Sequence, residues 1–127
     1  MDKIGRIYMS NYSKTNIMMD ATRETLHDKL SLTGAEISIN TLPAGGSVPF
    51  VHYHKINEEV YIVISGKGTV VIDGETIELR AGDCVRISPA GKRQFFAADD
   101  TSISYICIQV KEGSLEGYSG SDGIVEK

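Results

Sequence analysis

The chain has 127 residues, 41% of them hydrophobic and 24% charged, the composition of one ordinary globular domain. With 13 Lys and Arg against 17 Asp and Glu the net charge is −4, which argues against a general phosphate-backbone binder, so no nucleic-acid partner is expected. No apolar run approaches the roughly 18 residues of a membrane span, and two cysteines without CxxC spacing behind an unremarkable N-terminus point to a reducing cytoplasm and no membrane partner.

In chain order, Ile4, Arg6, Ile7, Tyr8 and Met9 alternate as a short edge strand, followed by an Asn/Ser/Thr-rich turn over 10–16. Residues 20–30 carry apolar positions too sparse for an amphipathic helix and read as an irregular segment with a short turn or strand. From Gly34 onward the pattern is regular, with β-rich runs at 35–42, 48–54, 59–65, 68–73, 75–80, 84–88, 93–98 and 102–110. Glycines stand at the junctions, Gly45-Gly46, Gly66 with Gly68, Gly74, Gly82 and Gly91, and no P-loop or GxGxxG context gives them phosphate to bind. The Asp73-Gly74 step between two alternating runs is a type I′ hairpin tip. Eight such strands close a small barrel wide enough for side chains or one small ligand, so the expected class is all-β and no helix is needed. The tail over 111–127 reads as a loosely docked arm, giving one domain over 1–127 with a barrel core at about 34–110 and an N-terminal arm at 1–33.

His52 and His54 stand at i and i+2 in a strand-like run, which sends both imidazoles to the same face. Glu59 opens the next run, and the short connection over 55–58 returns it beside them. Two imidazoles and a carboxylate on neighbouring strands form a facial set suited to Fe, Mn, Ni or Zn as a divalent ion, with open positions for a substrate. Taken singly, a His-x-His is often a polar outward face and an acidic pair such as Glu58-Glu59 a solvated loop. The three together, at fixed offsets from glycines, argue for the metal.

Gly46, five residues, His52, one residue, His54, four residues, Glu59, six residues and Gly66 reproduce the first motif of the cupin superfamily without a gap. Gly82-Asp83 and Pro89-Ala90-Gly91 resemble its second motif, with two departures: the first spacer is one residue longer, and Gln94 takes the place of the usual fourth ligand, with Ala98 where asparagine would fall. The resemblance implies a cupin-type double-stranded β-helix, or jelly-roll barrel, holding a divalent metal at His52, His54, Glu59 and Gln94. An amide oxygen is a weaker ligand than imidazole, so Gln94 coordinates weakly, holds a bound water or orients substrate.

By strand parity Val48 and Phe50 share the face of the two histidines, and Tyr61 and Val63 that of Glu59; Tyr105, Cys107 and Gln109 share a face of the final strand. Phe50, Tyr61, Tyr105 and Cys107 are therefore the candidate substrate-binding residues. Cys84 and Cys107 read as small buried hydrophobes and not nucleophiles, His27 as a surface residue. Arg80, Arg86, Lys92 and Arg93 read as a solvated strand face, the alternative being a barrel mouth that meets an anionic substrate. Small single-domain cupins include sugar and sugar-acid isomerases and oxygenases, so the resemblance implies a metal-dependent enzyme of isomerase, lyase or dioxygenase type acting on a sugar, sugar acid or keto/enol compound. The alternatives are a non-catalytic module binding a small ligand or metal and a structural cupin without metal. Apolar residues on both faces of the strand at 59–65 lead to the expectation of a homodimer.

Overall fold

The computed structural model describes residues 10–127, and the expected edge strand at 4–9 lies outside them. Chain order runs β1 (Arg23–Thr25), α1 (His27–Leu30), β2 (Ala35–Leu42), β3 (Asn57–Ile72), β4 (Glu75–Arg80), β5 (Cys84–Ile87), β6 (Arg93–Ala97) and β7 (Ile103–Lys111). The protein is all-β, as its sequence indicates. The helix that the sequence does not require is a single turn, ended by Ser31 in the left-handed region at φ 57°.

All strand pairs are antiparallel. One sheet runs β1, β2, β7, the first half of β3 and β5; the other holds β4, the second half of β3 and β6. The core lies between them and includes Tyr61, Val70, Leu79, Phe95, Ile103 and Tyr105.

Two expected strands are one. Residues 59–65 and 68–73 fuse into β3, which carries the chain from the first sheet to the second through a bulge between Val63 and Ser65. Gly66 does not turn the chain there. It sits at φ +78°, and a Cβ at this position would lie 1.8 Å from the Ser102 carbonyl oxygen, so only glycine lets β7 approach the bend. The expected hairpin tip is as read, with Asp73 at φ 50° and Gly74 at φ 83° joining β3 to β4.

The expected strand at 48–54 does not form as a strand. Pro49 lacks an N–H to donate, and only single bridges pair the segment with β6, at Ser47–Phe96 and His52–Arg93. Alternation persists nonetheless, with His52 and His54 half-buried between exposed Val51, Tyr53 and Lys55. Two backbone bonds between His52 and Arg93, at 3.1 and 2.9 Å, and one from the His54 N–H to Pro89 O at 2.8 Å fix the segment against the barrel.

The outer face of the first sheet carries an apolar stripe. In register, Ile37, Ile108 and Val60 form one row and Ile39, Ile106 and Ile62 the next. Ile39 is buried and the other five are only half-covered. A second copy covering this stripe is the expected homodimer. Light scattering at micromolar concentration should then return twice 13.8 kDa, and Ile62→Glu the monomer mass; a monomeric wild-type chain would remove the expectation.

Candidate metal centre

Glu59 is buried, 4% exposed, and points into the barrel because β3 alternates Glu59, Tyr61 and Val63 inward. Its Oε1 accepts the Tyr61 hydroxyl at 2.6 Å and Arg93 Nη1 at 2.9 Å, and its Oε2 accepts the Cys107 thiol at 3.2 Å. The two imidazoles stand against the same carboxylate, His54 Nε2 at 3.4 Å from Oε2 and His52 Nε2 at 3.9 Å from Oε1. One potential ligand atom from each of His52, His54 and Glu59 lies within 4.8 Å of the others. The imidazoles meet edge to face, 5.3 Å between centroids.

The donor set fits a divalent cation on two observations. His54 Nε2 is buried without a hydrogen-bond partner although it faces the carboxylate, an arrangement that a cation between them satisfies. Glu59 is also held by three donors that aim its carboxylate, as outer partners aim a ligand. Burial lowers the His52 pKa, opposed in part by the neighbouring Glu59 charge, and so favours the neutral imidazole that a metal requires.

Arg93 corrects the sequence reading. It is not on a solvated face: β6 turns Arg93, Phe95 and Ala97 inward, and Arg93 is 0% exposed. Its Nη1 pairs with Glu59 and its Nη2 donates to Ser88 O at 2.8 Å. From the second motif it is thus Arg93 that reaches the Glu59 carboxylate. Gln94 lines the same cavity, and its Nε2 donates to Val48 O at 2.7 Å. The remaining basic residues stay outside: Arg86 pairs with Glu58 and Glu112, and Lys92 lies 6.0 Å over the Tyr53 ring.

The cluster opens into a cavity of about 550 Å³. Tyr61, Phe95 and Tyr105 form one aromatic wall, with Phe95 and Tyr105 stacked at 4.8 Å. Phe50 lines the cavity too, against His52 at 5.8 Å, but is 58% exposed and so belongs to the rim. Sequence reasoning placed Gln109 on the face of Tyr105 and Cys107 but missed the other residues of the polar side of this cavity, Arg23, Glu36, Ser38 and Asn40. A signal existed for three of them: Glu36, Ser38 and Asn40 alternate with Ile37 and Ile39 along β2.

The cysteines also depart from expectation. Cys84 is exposed, not buried. Cys107 is buried but serves as a hydrogen-bond donor to Glu59, and burial beside that carboxylate pushes its thiol up to about 12. Burial likewise raises Tyr105 to about 12 and lifts Tyr61 further above its ordinary value. All three hold their protons at neutral pH.

A family model for the cupin domain matches residues 38–109. A cupin protein from Bacteroides fragilis superposes with a TM-score of 0.91 at 61% identity, over 94% of this chain and 100% of that one. Two more distant structures share the fold. A sugar phosphate isomerase from Silicibacter pomeroyi gives a TM-score of 0.63 at 23% identity, over 73% of this chain and 61% of that one. A predicted oxalate decarboxylase from Thermotoga maritima gives 0.56 at 21%, over 59% and 64%. An uncharacterized protein of Methanocaldococcus jannaschii is 25% identical over 85 residues, 67% of this chain and 68% of its own length.

Two outcomes test this geometry. Arg93→Met leaves the Glu59 charge buried beside no cation and should cost about 3–5 kcal/mol in metal-free protein, with most of the loss recovered in the Glu59→Leu/Arg93→Met double variant; urea denaturation of wild type, Arg93→Met, Glu59→Leu and the double variant measures both. A disulfide reagent for thiols should titrate Cys84 rapidly in native protein and Cys107 only after unfolding, since only the thiolate reacts.

Proposed function

The chain belongs to the cupin domain family, and from that premise we propose that His52, His54 and Glu59 hold a divalent metal at the base of the cavity and that the protein uses it on a small polar molecule. The observation that carries this reading is the unpartnered His54 Nε2 facing the triply held Glu59 carboxylate. Gln94 is the fourth member of the set: its nitrogen is fixed on Val48 O, and its amide oxygen takes no hydrogen bond from any described residue. Bound there, a divalent ion supplies Lewis acidity toward a carbonyl, enol or carboxylate oxygen of the ligand.

The chain's own groups divide the remaining work. Phe50, Phe95 and Tyr105 supply apolar walls that limit water around the ligand. Tyr105, protonated at neutral pH, can donate a hydrogen bond to a ligand oxygen; Tyr61 and Cys107 already spend their protons on Glu59. This provides one acid group and oxyanion stabilisation, which serve isomerase or lyase chemistry on sugars, sugar acids or keto/enol compounds; dioxygenase chemistry would need a redox-active metal such as Fe in addition.

A second reading, a non-catalytic binding module, is favoured by one observation. Tyr61, Tyr105 and Cys107 hold their protons, and Glu36 is tied by its Oε1 to the Leu26 and His27 N–H groups at 3.2 and 3.0 Å. The cavity therefore offers few groups to accept a substrate proton. Turnover separates the two readings, with sugar phosphates, uronates, small dicarboxylates and diketones presented to protein loaded with Mn, Fe, Ni or Zn. Consumption of any of them supports the enzyme, and none across all metals supports the module.

The metal itself is tested first. Protein purified without added metal should carry close to one divalent ion per chain, and His52→Ala/His54→Ala should carry nearly none. Chelation should lower the unfolding midpoint, and reloading at about 100-fold over the dissociation constant should restore about 2.7 kcal/mol. Equal metal content in wild type and the double variant would overturn the ligand assignment.

A further inference from the structure

The charged groups of the cavity wall are not all in ion pairs. Glu59 is neutralised by Arg93, and Glu36 accepts the backbone N–H groups of Leu26 and His27. Arg23, the one arginine of the lining, is exposed to solvent and has no ion-pair partner among the described residues. It donates one hydrogen bond, from Nη1 to Asn40 Oδ1 at 3.0 Å, and that acceptor is neutral. A guanidinium carries five donors, so most of its fork stays available.

The chain holds this cation in a set direction. Arg23 and Asn40 are register partners between β1 and β2, and Asn40, itself buried, donates Nδ2 to Ser38 Oγ at 2.9 Å. That second bond leaves Asn40 Oδ1 facing Arg23, so the amide cannot flip without losing both contacts. Asn40 pairs with Tyr105, and Ser38 with Cys107 and through it Tyr61, so the Arg23 wall continues along the same sheet into the aromatic wall. Three strand spacings, about 14 Å in all, separate β1 from β3 along that sheet, a span that one small molecule lying between the Arg23 and Glu59 side chains can bridge.

We infer that Arg23 is an anion-binding residue, so that the ligand is a small molecule with an oxyanion, carboxylate or phosphoryl, at one end paired with the Arg23 fork, and with oxygen groups at the other end facing His52, His54 and Glu59. This rests on the reading of the cavity as the ligand site and adds the ligand's charge and the residue that selects it. The basic cluster of β4 to β6 does not serve this purpose: Arg86 and Arg93 are already paired. An arginine left beside a neutral amide in a cavity lining gains a strong, bidentate partner when an oxyanion arrives, and a neutral analogue supplies none.

Isothermal titration with malate, glucose 6-phosphate and glucose, on metal-loaded and on chelated protein, tests the inference. Malate or glucose 6-phosphate should bind wild type, with the preferred one distinguishing carboxylate from phosphoryl, and glucose should bind at least about tenfold more weakly than the better anion. Arg23→Met should lose about tenfold or more of that anion affinity, Arg23→Lys should keep part of it, and all three should carry the same metal content. Asn40→Asp supplies the missing counter-charge in place and should suppress anion binding while Arg23 remains, which covers the case of a poorly folded Arg23 variant. Anion affinity unchanged in both Arg23→Met and Asn40→Asp, glucose binding as tightly as the anions, or no binding of either anion overturns it. Failure of the metal reading looks different: metal content is then absent or insensitive to His52 and His54, while the Arg23 dependence is still read on the chelated protein.

Discussion

The Glu59 carboxylate, buried and paired with a fully buried Arg93, is the contact on which the rest of this site depends. A lone carboxylate in a barrel interior is costly to bury; a guanidinium at 2.9 Å pairs with it and fixes it. Tyr61 and Cys107 complete its shell from β3 and β7. That leaves the side of Oε2 toward His54 as the direction in which a cation fits. Because Arg93 offsets the carboxylate charge, a divalent ion held there would keep more of its positive charge toward a ligand than it would beside an unpaired Glu.

The strand β3 makes this arrangement mechanically possible. It runs through both sheets, so Glu59 and Tyr61 in its first half share a ladder with Gln109 and Cys107, while Val71 and Ile72 in its second half pair with Gln94 and Arg93. The passage from one sheet to the other runs through the bulge between Val63 and Ser65 and past Gly66, where the Ser102 carbonyl leaves no room for a side chain. The His52 segment is then clamped to β6 by reciprocal backbone bonds with Arg93. Arg93 thus ties the histidine segment by its backbone and the carboxylate by its side chain.

The cavity above the cluster has two unlike sides, an aromatic one from β3, β6 and β7 and a polar one mainly from β1 and β2, with Gln109 of β7. The polar side exists because β2 turns Ser38 and Asn40 inward and Ile37 and Ile39 outward. Strand alternation alone would place the apolar set inside, and here it lies under the outer stripe instead. The same inversion produces both an outer face that invites a partner and an inner wall able to orient Arg23.

Much of the site was legible in order along the chain. The spacing of His52, His54 and Glu59, the inward parity of Tyr61, Tyr105 and Cys107, and the Asp73-Gly74 turn follow from local periodicity and turn chemistry, which act between near neighbours and therefore survive even where the strand at 48–54 fails to form. What the chain's local pattern could not express was pairing at a distance. Arg93 looked like one more surface cation until β6 turned it toward a carboxylate 34 residues earlier, and Cys107 looked like a small hydrophobe until β7 set its thiol on the same group. Arg23 sat in a segment with no periodicity at all, and only its register with Asn40 made it part of a cavity wall. Sequence determined which residue types could bind a metal and that they share a face; the tertiary structure decided which charges cancel and which are left over, because Coulombic compensation depends on distance through space and not along the chain.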